Sequence, residues 1–161
     1  MNAEDDPAPD ESDLPEVVRK ILFPVNRQKG DDIPVSTFVG REDGVIEFGL
    51  TAYEKRGIAV HVPAWDAQKC LQCNLCSFVC PHAAIRPYLL NEEEVKNAPE
   101  GYLVVPAKGA EELYFTVKVS TYDCTGCGSC ASVCPKEGAL TMEPANLKEE
   151  DKVAWEYGLH L

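Results

Sequence analysis

The chain has 161 residues, with 27 acidic against 15 basic side chains and a formal net charge of −12. That balance excludes nucleic acid as a partner, because phosphate binding needs clustered Lys and Arg. No run approaches the ~20 apolar residues of a membrane helix, and Met1-Asn2-Ala3-Glu4-Asp5-Asp6 lacks the apolar stretch of a signal peptide.

Residues 1–13 are rich in Asp, Glu and Pro and are expected to form a disordered acidic leader. Asp13 offers an N-cap and Pro15 a first-turn residue for a helix carrying Leu14, Val17, Val18, Ile21 and Leu22 up to Pro24. Residues 24–57 are broken by Gly30, Pro34, Gly40, Gly44, Gly49 and Gly57, with weak strand patterns at Val35–Val39 and Val45–Phe48. Residues 14–57 together read as an N-terminal extension that packs on the core or on a partner.

An internal repeat follows over residues 58–145. In the first copy Ile58, Val60 and Val62 alternate with Ala59 and His61 as in a strand, a cysteine loop follows, Leu75–Val79 is a short helix and Ala84–Leu89 a second strand. In the second copy the strand is carried by Phe115, Val117 and Val119, the helix is Ser129–Val133 and the last strand Ala139–Met142. Residues 90–114 separate the copies as an insertion. There Asn91 caps a short helix through Glu92, Glu93, Glu94 and Val95, and Leu103–Val105 can pair with Leu113–Val117. Shielding, docking and an inert loop all remain open for it. Residues 146–161 are expected to form a C-terminal helix, capped by Asn146, ended by Gly158 and packed through Trp155. His61 and His82 fall on a strand and a turn and read as structural. No nucleophile or acid–base set emerges, so no catalytic residue is assigned.

The chemistry lies in the cysteines. All eight belong to two runs, Cys70, Cys73, Cys76, Cys80-Pro81 and Cys124, Cys127, Cys130, Cys134-Pro135. Each run is C-x2-C-x2-C-x3-C-P, the spacing that holds two [4Fe–4S] clusters in bacterial ferredoxins. Three thiolates on a tight loop curl round one face of a cubane, and the fourth follows a helical turn that the proline ends. In that pattern the fourth Cys ligates the other cluster. Cys70, Cys73, Cys76 and Cys134 are thereby assigned to cluster 1, and Cys124, Cys127, Cys130 and Cys80 to cluster 2. A disulfide framework suits secreted chains. Structural zinc sites pair two-ligand knuckles, and a redox dithiol needs one C-x-x-C. Free thiols and oxygen-sensitive clusters point to the reducing cytoplasm. Leu71, Leu75 and Phe78 make the first loop bulkier than Thr125, Gly126, Gly128 and Ser129 make the second. A drier, lower-potential first cluster is expected from that contrast.

Further residues carry a family resemblance. They are Glu54-Lys55-Arg56-Gly57-Ile58-Ala59-Val60, Val62-Pro63-Ala64-Trp65-Asp66, Cys80-Pro81-His82-Ala83-Ala84-Ile85-Arg86, Ala98-Pro99-Glu100-Gly101 and Asp123-Cys124-Thr125-Gly126-Cys127-Gly128. Together with Gly30-Asp31-Asp32-Ile33-Pro34-Val35-Ser36, they resemble the two-cluster ferredoxin-like domain of pyruvate:ferredoxin oxidoreductase. The resemblance runs from about residue 14 to 158. It implies an α+β fold of the bacterial two-cluster ferredoxin type, a pseudo-two-fold β-α-β repeat with an insertion and terminal extensions. It implies an electron relay from the remaining domains or subunits of a 2-oxoacid oxidoreductase to external ferredoxin or flavodoxin. The family's thiamine, coenzyme A and third-cluster parts have no counterpart in these residues. An independent soluble two-cluster ferredoxin is the alternative.

Overall fold

The computed structural model describes residues 14–145 and 149–161. The acidic leader, the Asp13 cap and the Asn146 cap lie outside the described residues. The chain divides into two compact units, Met1–Lys55 and Arg56–Leu161.

In the first unit, the expected helix continues beyond Pro24. A wide π-type turn, Val18–Leu22, runs into α1, Phe23–Asn26, and the Phe23 N–H closes on the Val18 carbonyl. Pro24 stands where the wide turn joins α1, and it has no N–H to give to the turn before it. The two expected strands are not formed. Val35–Phe38 is a 3₁₀ turn, and residues 45–48 pair with nothing in either sheet. Gly40, Gly44 and Gly49 all take positive φ, which folds the segment into turns before a strand can extend. An Arg41–Glu47 ion pair closes one of these turns. Val35, Val39, Val45, Ile46 and Phe48 are left exposed.

The second unit is a small α+β arrangement of two antiparallel sheets. β1 (His61–Trp65) pairs with β5 (Leu140–Pro144), and β2 (Ile85–Leu90) pairs with β4 (Tyr114–Val119). The topology obeys the repeat. The first strand of each copy pairs with the second strand of the other, so Trp65↔Leu140 and Val119↔Ile85 are equivalent pairs. β1 starts at His61, three residues later than the alternation predicts. Its partner ends near Pro144, and the Ala145 N–H closes the ladder on the Val60 carbonyl. Ile58 and Val60 are consequently 63% and 75% exposed, while Ala59 is buried.

β4 has two faces. Phe115 and Val117 join Ile85, Cys130 and Leu140 in the core beside the cysteine loops. Thr116, on the other face, is fully buried and donates to the Leu103 carbonyl at 2.6 Å. After α2 (Leu75–Phe78), the residues between the copies begin with α3 (Glu92–Asn97), whose Asn91 cap is part of a complete capping box. A two-residue strand, β3 (Val105–Pro106), then pairs with β4. A last helix, Glu149–Leu159, packs on β4. Tyr157 of that helix stacks edge-on against Tyr102 at 5.2 Å and donates to the Glu94 carbonyl at 2.5 Å. The Arg86 guanidinium lies over the buried Trp155 ring at 5.2 Å, so Trp155 packs as expected.

Gly158 does not end this helix, which runs on to Leu159. Its role is close approach: a Cβ there would stand 2.7 Å from the Tyr88 ring. Gly158→Ala should cost about 1–3 kcal/mol, the usual range for overpacking, because the whole helix must shift outward. Chemical denaturation is the check. An unchanged midpoint would mean that the Tyr88 ring moves aside freely.

Candidate metal centres

Each cysteine run leaves a strand through a turn. After β1, the Asp66 carboxylate accepts from the N–H groups of Gln68 at 3.0 Å and Lys69 at 3.3 Å. Its hydrogen bond with the Lys69 ammonium holds that carboxyl below the usual range. The Asp66 carbonyl then receives the Cys70 N–H at 3.2 Å. After β4 the Ser120 carbonyl receives the Cys124 N–H at 3.0 Å, and the Ser120 hydroxyl donates to Asp123 at 2.6 Å.

Within the loops, left-handed residues recur at matching places. Gln72 (φ 61°) corresponds to Gly126 (71°), Asn74 (60°) to Gly128 (76°), and Ala83 (50°) to Gly138 (72°). The reversals turn amides toward sulfur. Gln72 N–H donates to Cys70 Sγ at 3.3 Å, Gly126 N–H to Cys124 Sγ at 3.4 Å, and Ala84 N–H to Cys80 Sγ at 3.3 Å. Gln72 also ties the first loop to β3 and the residues that follow it. Its side chain donates to the Pro106 carbonyl at 2.9 Å and accepts from Lys108 N–H at 2.7 Å. Sequence reading missed Gln72 and Asn74 as loop-shaping residues, although the glycines in the same slots of the second copy mark them.

The short helices α2 (Leu75–Phe78) and α4 (Ser129–Val133) pack on one another and carry the fourth cysteines across. Two cavities result, of about 390 and 380 Å³ counting the part open to solvent. The first is lined by Cys70, Cys73, Cys76 and Cys134. The second is lined by Cys124, Cys127, Cys130 and Cys80, with His82 among its other walls. All eight thiols are free. Among the described residues no three His, Cys, Asp or Glu side chains converge as the ligands of one ion do. The thiols instead stand around the walls of two spaces.

Burial pushes the Cys76 thiol up to about 11 and raises Cys130 and Cys124 as well, while a hydrogen bond with Ser129 lowers Cys127. Metal must therefore displace protons as it binds. Four soft sulfur donors per cavity, with amide donors aimed at them, fit a thiolate-held iron–sulfur cluster. One further atom suits such a guest. The indole Nε1 of Trp65, in the wall of the first cavity, is buried with no partner.

The expected dryness of the first loop is not what the residues provide. Leu75 and Phe78 are 40% and 88% exposed, and only Leu71 of the three lines a cavity. The α2 turn leaves both exposed, so neither dries the first site, and the contrast between the two walls narrows to Leu71 in the first and Thr125 in the second.

Comparison with known proteins agrees with this geometry. Residues 69–137 match the family of 4Fe-4S double cluster binding domains, and residues 3–59 match EKR, a domain of unknown function. The chain is 52% identical over 149 residues to a pyruvate-flavodoxin oxidoreductase of Enterobacter agglomerans, covering 92% of this chain and 13% of the relative. It is 52% identical over 146 residues to the pyruvate:ferredoxin oxidoreductase of Moorella thermoacetica, covering 89% and 12%. Against a pyruvate dehydrogenase [NADP(+)] of Cryptosporidium parvum it is 50% identical over 151 residues, covering 91% and 8%. The chain thus spans about an eighth or less of the length of these relatives.

Proposed function

We propose, from the premise that residues 69–137 belong to the 4Fe-4S double cluster binding domains and that the chain is homologous to a segment of pyruvate oxidoreductases, that it is the electron relay of a 2-oxoacid oxidoreductase. The observation that carries the reading is the pair of cavities, each walled by three cysteines of one copy and one of the other. Cys70, Cys73, Cys76 and Cys134 would hold cluster 1, and Cys124, Cys127, Cys130 and Cys80 cluster 2. When bound, each cluster supplies one-electron redox chemistry. The residues do the rest. The amides of Gln72, Ala84 and Gly126 donate to ligand sulfurs and so favour the more negative state. Ile85, Phe115, Val117 and Leu140 keep water from the space between the loops. The packing of α2 on α4 brings together the two helices that carry Cys76 and Cys130, which would give electrons a short path between the sites.

Upstream, the electron would come from other domains or subunits acting on pyruvate or a related 2-oxoacid. Downstream, it would pass to ferredoxin or flavodoxin, in the reducing cytoplasm that free thiols suit. An independent carrier is the weaker reading. The first unit exposes Val35, Val39, Ile46 and Phe48, and apolar side chains of that size in solvent suit a surface that other protein covers. Residues 14–57 would then be that docking extension, and residues 90–114 with the last helix a brace behind the β4 sheet.

Anaerobic reconstitution followed by iron and sulfide counting tests the reading. About eight of each per chain are expected, as for two cubanes, with two one-electron reductions and transfer to added flavodoxin. Stoichiometric zinc with negligible iron would overturn it.

A further inference from the structure

We infer that Trp65 is a hydrogen-bond donor to the cluster of the first cavity and raises that cluster's reduction potential. The inference rests on the proposed ligand set for that cavity. Trp65 ends β1, fixed there by its pairing with Leu140. Its ring packs edge-on against Phe115, with centroids 6.1 Å apart and planes at 66°. Both side chains line the cavity that holds Cys70, Cys73, Cys76 and Cys134. The indole N–H is a donor only, it is buried, and no atom of the described residues accepts from it. Buried donors without a partner are rare in folded proteins. A sulfide or thiolate sulfur in that cavity supplies the acceptor that the protein lacks.

The repeat gives an internal control. The strand position equivalent to Trp65 is Val119, which lines the second cavity and carries no donor. The two sites share one amide donor, since Gln72 and Gly126 play the same part at 3.3 and 3.4 Å, while the Ala84 N–H at 3.3 Å from Cys80 Sγ belongs to the second site. The indole is therefore an asymmetric feature. Reduction adds one electron to the cluster and neither forms nor breaks a covalent bond. The proton stays on Nε1, and its bond to sulfur strengthens as negative charge grows. A donor of this kind favours the reduced state, so it raises the potential. This reverses the sense in which the first loop's composition reads on sequence alone.

The test uses the 161-residue chain with both clusters reconstituted anaerobically, indole-15N tryptophan incorporated and dithionite as reductant. Pulsed electron–nuclear resonance on the reduced chain should detect a 15N coupling and an exchangeable proton. The 15N coupling should persist in Trp155→Phe and vanish in Trp65→Phe and in Cys134→Ser, while exchangeable protons from the backbone amide donors remain. A redox titration of Trp65→Phe should show one midpoint shifted to more negative potential and the other unmoved. Iron counting on each sample tests the ligand set separately. No 15N coupling in the unmutated chain at full iron content would overturn the inference, with the N–H then aimed at the Phe115 ring. Unchanged midpoints in an iron-replete Trp65→Phe would overturn it as well.

Discussion

Replacing Cys134 with Ser should halve the iron, from about eight to about four per chain, and the cluster lost should be the one shared with Cys70, Cys73 and Cys76. The expectation follows from which thiols share a wall. Cys134 lies ten positions beyond Cys124 in sequence, yet it lines the first cavity with the cysteines of the other run. A serine hydroxyl is a harder and far less acidic donor than a thiol and replaces it poorly on iron–sulfur. Double variants make the assignment decisive. Cys73→Ser added to Cys134→Ser should remove no further iron, since both changes fall on one cavity. Cys127→Ser added to Cys134→Ser should bring iron close to zero. The opposite pattern would mean that each run closes on its own cluster. Circular dichroism on each variant separates cluster loss from unfolding.

The cysteine arithmetic was legible because it needs no tertiary information: spacing alone distinguishes a cubane loop from a zinc knuckle. The strands of the repeat were legible too, within a residue or two, except at β1. There the apolar alternation at Ile58 and Val60 misled, because where a strand starts depends on how far its partner reaches, and β5 stops near Pro144. The same dependence defeats Val35–Val39 and Val45–Phe48. Both have strand-like composition, and neither has a neighbour to pair with. Leu75 and Phe78 failed for another reason. A four-residue helix has room for only one inward face, and Cys76 takes it. Trp65 could not be read at all, since an orphaned donor is defined by what surrounds it. Gln72 and Asn74 were within reach, because aligning the two copies puts Gly126 and Gly128 in their places.

Gly126→Ala should be the most damaging change outside the cysteines, and Gly128→Ala sets its scale. Both glycines take positive φ, 71° and 76°, and a left-handed alanine costs about 1–2 kcal/mol in either place. Their surroundings differ. A Cβ at Gly128 meets nothing within 4 Å, whereas at Gly126 it stands 2.9 Å from the His61 carbonyl oxygen and 3.4 Å from the Ala59 Cβ. His61 is held in β1 by pairing with β5, so the loop has to retreat. Overpacking of that kind adds about 1–3 kcal/mol, for a total of roughly 2–5 kcal/mol. The retreat also pulls the Gly126 amide off Cys124 Sγ. Gly126→Ala should therefore lose the second cluster and keep about four irons, while Gly128→Ala keeps about eight at a lower midpoint of denaturation. Gln72 shows that the conformation alone is tolerable. It sits at φ 61° with a full side chain, which is held by Pro106 and Lys108. Equal iron content in the two glycine variants would mean that the His61 carbonyl yields, and that backbone conformation rather than close approach fixes glycine at this turn.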